Sequence, residues 1–190
     1  MRVKEIFYSL QGEGFHTGTP AVFVRLSGCN LRCPFCDTDH ADGREMTAGE
    51  IVGAILAYPS RHVVVTGGEP SLQLDEELVG ALRGAGFFIQ VETNGTRPLP
   101  DGIDWVTCSP KGAPLAIGRA DELKLVFGGG DGMPLPSDFD GFDAAHRFLQ
   151  PCDTGDAGRN AAVMAACVEY VKGDPRWRLS LQTHKLIDIP

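Results

Sequence analysis

Three cysteines fall within one eight-residue stretch, Cys29-Asn30-Leu31-Arg32-Cys33-Pro34-Phe35-Cys36. Their CxxxCxxC spacing lets a single loop present three thiolates to one metal centre, and no fourth cysteine follows at similar spacing. A four-iron, four-sulfur cubane held by four cysteines is closed and suits electron transfer. With three protein ligands one iron keeps an open position, by the logic that separates catalytic from structural metal sites, and an open iron binds a substrate or a cofactor. Zinc is the rival, because His40 follows closely enough to complete a Cys3His tetrahedron in a non-enzymatic module. Disulfides are disfavoured, since the three cysteines are too close together to pair efficiently and no signal-peptide pattern stands before them. Cys108, Cys152 and Cys167 are scattered and read as small buried side chains.

One other residue is chemically out of place. Residues 21–26, AVFVRL, form the nearly continuous apolar run of a strand buried on both faces, yet the run contains Arg25. A buried guanidinium needs an anion, either a structural carboxylate or one on a ligand. The cysteine loop leaves from the carboxyl end of this strand, so both features belong to one end of the fold.

The remaining elements alternate between strands and helices. Residues 3–10 read as a strand that breaks at Gln11-Gly12-Glu13-Gly14. A capping box at Thr47 and Glu50 starts a helix over 47–57, and Leu74, Leu78, Val79 and Leu82 give helical spacing over 75–83. Strands are predicted over 62–66, 87–92, 105–108, 123–127 and near 147–150, a third helix over about 160–172, and a final alternating strand over 177–183. Residues 128–142 carry glycines, prolines and aspartates without periodicity and read as a long surface loop. Such alternation implies a right-handed parallel α/β arrangement. About six core strands with three main helices are too few for a full eightfold barrel of about 250 residues, so an open, partial barrel is expected. Ligands gather at the carboxyl ends of the strands in such folds, and the glycine-rich breaks fall there.

Composition narrows the partners. The chain has 190 residues, 43% of them hydrophobic, enough for one buried core and short for two, so residues 1–190 are expected to form one domain. A net charge of -8 argues against a nucleic-acid partner, which needs a clustered basic surface. No apolar run approaches the roughly 20 residues that span a bilayer, so no membrane partner and a cytoplasmic location are expected.

Taken together, CxxxCxxC after the first barrel strand, Phe35 before the third cysteine and Gly67-Gly68-Glu69-Pro70 after a later strand resemble the radical S-adenosylmethionine (SAM) enzymes. Glycyl-radical activating enzymes share the cysteine motif. Further segments are similar to one family, the 7-carboxy-7-deazaguanine synthases of queuosine biosynthesis: Ser9-Leu10-Gln11-Gly12-Glu13-Gly14, Phe23-Val24-Arg25-Leu26, Gly28-Cys29-Asn30, Cys36-Asp37-Thr38, Glu92-Thr93-Asn94-Gly95, Ser109-Pro110-Lys111, Leu149-Gln150-Pro151 and Gln182-Thr183-His184. The activating enzymes have no reason to carry the first and last of these.

That resemblance implies a lyase converting 6-carboxy-5,6,7,8-tetrahydropterin into 7-carboxy-7-deazaguanine and ammonia, with a 4Fe-4S cluster, SAM and Mg2+. It implies a homodimer supplied with electrons by a protein such as flavodoxin or ferredoxin. Carried over position by position, Cys29, Cys33 and Cys36 would hold the cluster and Thr38 the magnesium ion. Phe35, Cys36, Asp37, Gly68, Ser109, Pro110, Lys111 and Gln150 would hold SAM. Leu10, Gln11, Gly12, Glu13, Arg25, Thr66, His184 and Pro190 would meet the substrate, Arg25 through its carboxylate.

Overall fold

Strand register in the computed structural model, which describes residues 1–130 and 132–190, follows the apolar pattern of the sequence. The chain forms β1 (Arg2–Leu10), β2 (Pro20–Leu26), β3 (Arg44–Glu45), α1 (Ala48–Ile55), β4 (His62–Gly67), α2 (Glu76–Gly84), β5 (Phe88–Thr93), β6 (Trp105–Cys108), β7 (Arg119–Phe127), β8 (Asp143–Pro151), α3 (Ala157–Gly173), β9 (Arg178–Leu179) and α4 (Thr183–Ile187). One sheet contains all nine strands, in the order β3-β1-β2-β4-β5-β6-β7-β8-β9. From β2 to β9 every neighbouring pair is parallel, while β1 runs antiparallel to β2 and β3. The sheet curls without closing, which makes it the expected partial barrel.

Alternation along the strands sorts residues between the two faces of the sheet. On the outer face, Val22, Val24 and Leu26 of β2, Val63 and Val65 of β4, and Ile89 and Val91 of β5 pack against Ile51 and Ile55 of α1 and Leu78, Val79 and Leu82 of α2. Farther along the sheet, Leu123, Leu125 and Leu149 pack with Cys167 of α3 and Trp177. The helices start where capping predicts: Thr47 and Glu50 form the reciprocal box of α1, and the Asp75 side chain accepts from the Leu78 N–H of α2.

The inner face is different in kind. The loop between β1 and β2 turns back into the lower end of the barrel, where Phe15 stacks on Trp105 at 4.9 Å and His16 meets His62 and Trp105 edge-on. These side chains occupy the barrel below the site, and the interior opens at the carboxyl ends of the strands.

Several expectations need correction. The strand over 177–183 shrinks to Arg178–Leu179, paired with Phe148 and Leu149. Beyond it, Ser180 bonds Gln150, and the Thr183 N–H and hydroxyl both donate to the Gly12 carbonyl at 2.9 Å, which draws the chain off the sheet and into α4. β7 and β8 are longer than predicted because their polar first halves pair with each other, Arg119 with Asp143 and Ala120 with Ala144. The loop over 128–142 contains a 3-10 turn, Pro136–Phe139, and Phe139 and Phe142 pack against the second core cluster.

Candidate active site

The barrel mouth holds a cleft of about 620 Å³ that gathers nearly all the residues singled out from sequence. Cys29, Cys33, Cys36 and Thr38 line it, as do Leu10, Gln11, Gly12, Glu13, Arg25, Thr66, His184 and Pro190, and Phe35, Asp37, Gly68, Ser109, Lys111 and Gln150. Pro110 does not; it is buried behind the turn that presents its two neighbours.

The cysteine loop leaves β2 at Ser27 and is pinned at its base, where the Gly28 N–H donates to the His40 carbonyl at 2.8 Å. A turn from Cys33 to Cys36, closed by the Cys36 N–H on the Cys33 carbonyl at 3.1 Å, brings the last two thiols onto one side. Burial pushes the Cys29 and Cys33 thiols up, and the charge of Glu69 on Cys29 and that of the neighbouring thiols add to the rise. Thiolates on one zinc ion at about 2.3 Å approach one another far more closely than thiolates on separate corners of a cubane. Among the described residues no three His, Cys, Asp or Glu side chains converge on a single-ion site, and the His40 ring is not part of the cleft. Three thiols of one loop line the cleft without His40, a donor set that fits a cluster with one open iron.

The Gly67-Gly68-Glu69-Pro70 turn is set against this loop by backbone. The Gly68 N–H donates to Leu26 and the Glu69 N–H to Gly28, at 3.0 and 2.9 Å. With both donors used, what the turn offers a ligand is carbonyl oxygen, which suits an ammonium group. Gly67 has φ +132°, and a Cβ there would collide with the Leu26 backbone, so a side chain is excluded. Glu69 is structural. Its buried carboxylate accepts from the Ser71 N–H, the Thr93 hydroxyl and the Asn94 N–H at 3.0, 2.6 and 2.7 Å, locking the ends of β4 and β5 together.

Opposite the cysteines stands a lysine that, among the described residues, has no carboxylate partner in bonding distance. Lys111 donates to the Ser109 hydroxyl at 2.8 Å and lies 5.6 Å from the Phe35 ring centroid; burial, then the charge of Lys124, holds its ammonium below the usual lysine range. A half-buried cation so placed suits the carboxylate of a ligand.

The floor is charged. Lys124 of β7 reaches Glu13 at 2.5 Å and Glu92 of β5 at 3.3 Å. Gln11 donates to the other Glu92 oxygen at 2.8 Å and Gln182 to the other Glu13 oxygen at 3.0 Å. Burial alone would raise Glu13, but the charge and hydrogen bond of Lys124 outweigh it and leave its carboxyl at about 2. Arg25 stands on another wall beside Thr66, paired with Glu5 at 2.7 Å. A structural carboxylate thus already serves it as one anion, and the guanidinium borders the cleft.

α4 closes the mouth. His184 lies directly over Gly12, where any Cβ would strike its ring, and Lys185 bridges Asp37 at 2.9 Å and Asp153 at 3.1 Å. Ser9 donates to Pro190 at 2.7 Å. Lys124 and Lys185 were not legible as site residues from sequence. For Lys124 a signal existed: it is a lone charge in the apolar run LKLVF, the anomaly that marks Arg25.

Known proteins offer close likenesses. Residues 23–113 match the Radical SAM superfamily model. A 7-carboxy-7-deazaguanine synthase from Bacteroides thetaiotaomicron is 54% identical over 99% of this chain and 98% of its own length. One from Bordetella pertussis is 47% identical over 99% and 98%. Among solved structures, a crystal structure of QueE from Escherichia coli superposes with a TM-score of 0.75 at 30% identity, covering 96% of this chain and 94% of that one.

Proposed function

The chain belongs to the 7-carboxy-7-deazaguanine synthases, enzymes of the radical SAM superfamily, and from this we propose that it converts 6-carboxy-5,6,7,8-tetrahydropterin into 7-carboxy-7-deazaguanine with loss of ammonia. Membership of the superfamily brings a 4Fe-4S cluster and SAM. The observation that carries the reading is the composition of one cleft: three thiols of a single loop at its mouth, and a floor of ionised carboxylates below them.

Cys29, Cys33 and Cys36 would hold the cluster. The Gly68 turn and the Phe35–Asp37 backbone, with Ser109, Lys111 and Gln150, would hold SAM, Pro110 shaping the turn from behind. When bound, this pair supplies the 5'-deoxyadenosyl radical that removes a hydrogen atom from C6 of the pterin. The chain's own residues position that C–H bond and exclude water. Glu13 accepts from the amino and ring N–H groups of the substrate, with Leu10, Gln11 and Gly12 beside it and Thr66 on the wall. Arg25 faces the substrate carboxylate, and its existing pair with Glu5 fixes the guanidinium. His184 and Pro190 cover the substrate.

Further parts of the reading are a magnesium ion on Thr38, a flavodoxin- or ferredoxin-like reductant, a homodimer of one-domain chains, and a cytoplasmic location; no helix among the described residues is long and apolar enough to cross a membrane. The test is turnover: the anaerobically reconstituted protein, given SAM, a reductant, Mg2+ and the pterin, forms 7-carboxy-7-deazaguanine and ammonia. Cleavage of SAM to deoxyadenosine and methionine without a deazapurine product would sink the proposal.

A further inference from the structure

We propose that Lys124 is a positioning residue for the substrate pocket, a buried cation that keeps the carboxylates of Glu13 and Glu92 ionised and at fixed spacing so that both point acceptors at the pterin. The inference rests on the reading above for the ligand's identity, but its physical basis is independent. Glu13 comes from the loop after β1, Glu92 from β5 and Lys124 from β7, so nothing local in the chain holds the three together. The Lys124 side chain is 4% exposed, and its ammonium touches both carboxylates. The far oxygen of each carboxylate is held by an amide, Gln11 for Glu92 and Gln182 for Glu13.

Two carboxylates facing one dry pocket repel, and without a cation one of them takes up a proton. A protonated carboxyl turns one of its acceptors into a donor, which clashes with a donor-rich edge of a ligand. Burial of an ammonium here has no advantage for packing, because Lys124 faces the cleft while the core on the other side of the strand is built from Leu123 and Leu125. Among the described residues, the other charged or titratable groups facing the trio are Glu122 on the same strand, Lys111 from the turn after β6, Asp37 on the cysteine loop and His184 on α4. Of these only Lys111 and Lys124 are permanent cations, and Lys111 is beyond bonding distance of both glutamates, so removal of Lys124 leaves the pair uncompensated.

The experiment compares Lys124→Met and Lys124→Arg with the native enzyme, each reconstituted with cluster. In the Met variant the pterin KM rises on the order of 30-fold or more, the scale for breaking a buried charge pair. A new ionisation appears in its pH profile of kcat/KM, while iron content and SAM affinity stay unchanged. The Arg variant keeps the native pH profile, whatever its KM. A Met variant with the native profile, or an Arg variant with the new ionisation, overturns the proposal. A carbon-detected titration of Glu13 in the cluster-free protein gives a readout separate from turnover: it titrates below the ordinary carboxylate range in the native chain and the Arg variant. A native Glu13 that takes up its proton near neutral pH overturns the assignment even if the Met variant fails to fold. Native enzyme that makes no deazapurine would defeat the functional reading alone, since the titration still decides the charge pairing.

Discussion

The two faces of β7 are equally dry and chemically opposite. Leu123 and Leu125 point outward at 0% and 1% exposure, and Glu122 and Lys124 point inward at 1% and 3%. On β5, Ile89 and Val91 likewise join the core while Gln90 and Glu92 face the interior, Gln90 buried and Glu92 partly open to the cleft. Burial therefore does not distinguish scaffold from site in this protein. What does is how the buried atoms are compensated. Outward residues are held by many weak, interchangeable contacts, whereas each inward residue depends on one or two named partners. Outward changes should then register as stability, and inward ones as activity or pH dependence.

The sharpest contrast comes from the cleft mouth. Cys33→Ala should abolish the cluster and all turnover while the apoprotein melts at nearly the native temperature, because the thiol is on a loop and outside both core clusters. His40→Ala should keep its iron. Loss of the cluster in the His40 variant would return that histidine to the ligand set.

Next in size is an outward change. Leu125→Ala should cost roughly 2–5 kcal/mol of stability by leaving a cavity, with the pterin KM unaltered at temperatures where the variant remains folded. A raised KM with native stability, read from denaturant curves and steady-state kinetics, would reverse the roles assigned to the two faces.

An inward change on the same strand should act through pH. Burial raises Glu122 from an ordinary 4.5 to about 6, against the opposing charge of Lys124. The folded state thus binds this proton more tightly than the unfolded chain, so the contribution is fully present below pH 4.5 and is lost as pH rises through about 6. Burial lowers His16 and His62, which works in the other direction and favours the folded state as pH rises toward neutral. Subtracting the curve of Glu122→Gln from the native one isolates the carboxyl: the variant should gain on the order of 2 kcal/mol relative to the native protein between acid and neutral pH. Parallel stability curves would show that Glu122 titrates normally.

The smallest effect belongs to Thr38. Its hydroxyl lines the cleft with a weak contact to Asp37 at 3.5 Å. Thr38→Ala should weaken the apparent Mg2+ affinity in turnover by several-fold, about the loss of one neutral oxygen from a partly hydrated ion, and leave SAM binding alone. An unchanged magnesium titration would make Thr38 an ordinary loop residue.

These residues were not equally legible in the sequence. The cysteine loop was, because its three thiols are local and their spacing alone limits the chemistry. The strands were too, since short apolar runs of Val, Ile and Leu bounded by glycine-rich breaks mark them; six parallel strands and three main helices follow from that, but not the face each side chain takes. The carboxylate floor was only half visible. Glu13 and Glu92 stood in segments that resemble the family, but their shared partner Lys124 is far from both in the chain, and pattern along one strand cannot reveal a partner across a barrel. The end of the chain misled for the opposite reason. Residues 177–183 alternate well enough for a strand, yet hydrogen bonds from Ser180 and Thr183 to distant elements outweigh that local preference.

α4 also has a consequence in time. Thr183 grips Gly12 across 171 residues of sequence, and Lys185 holds Asp37 across 148. During synthesis the cysteine loop leaves the ribosome long before the segment that walls it in. Throughout that interval the nascent chain has its three thiols but not the residues that shelter them. A cluster delivered early would meet oxygen and solvent on an unroofed loop. The roof of the cleft is thus the last part of the site to form, while Cys36 stays exposed in the folded chain and open to a cluster added afterwards.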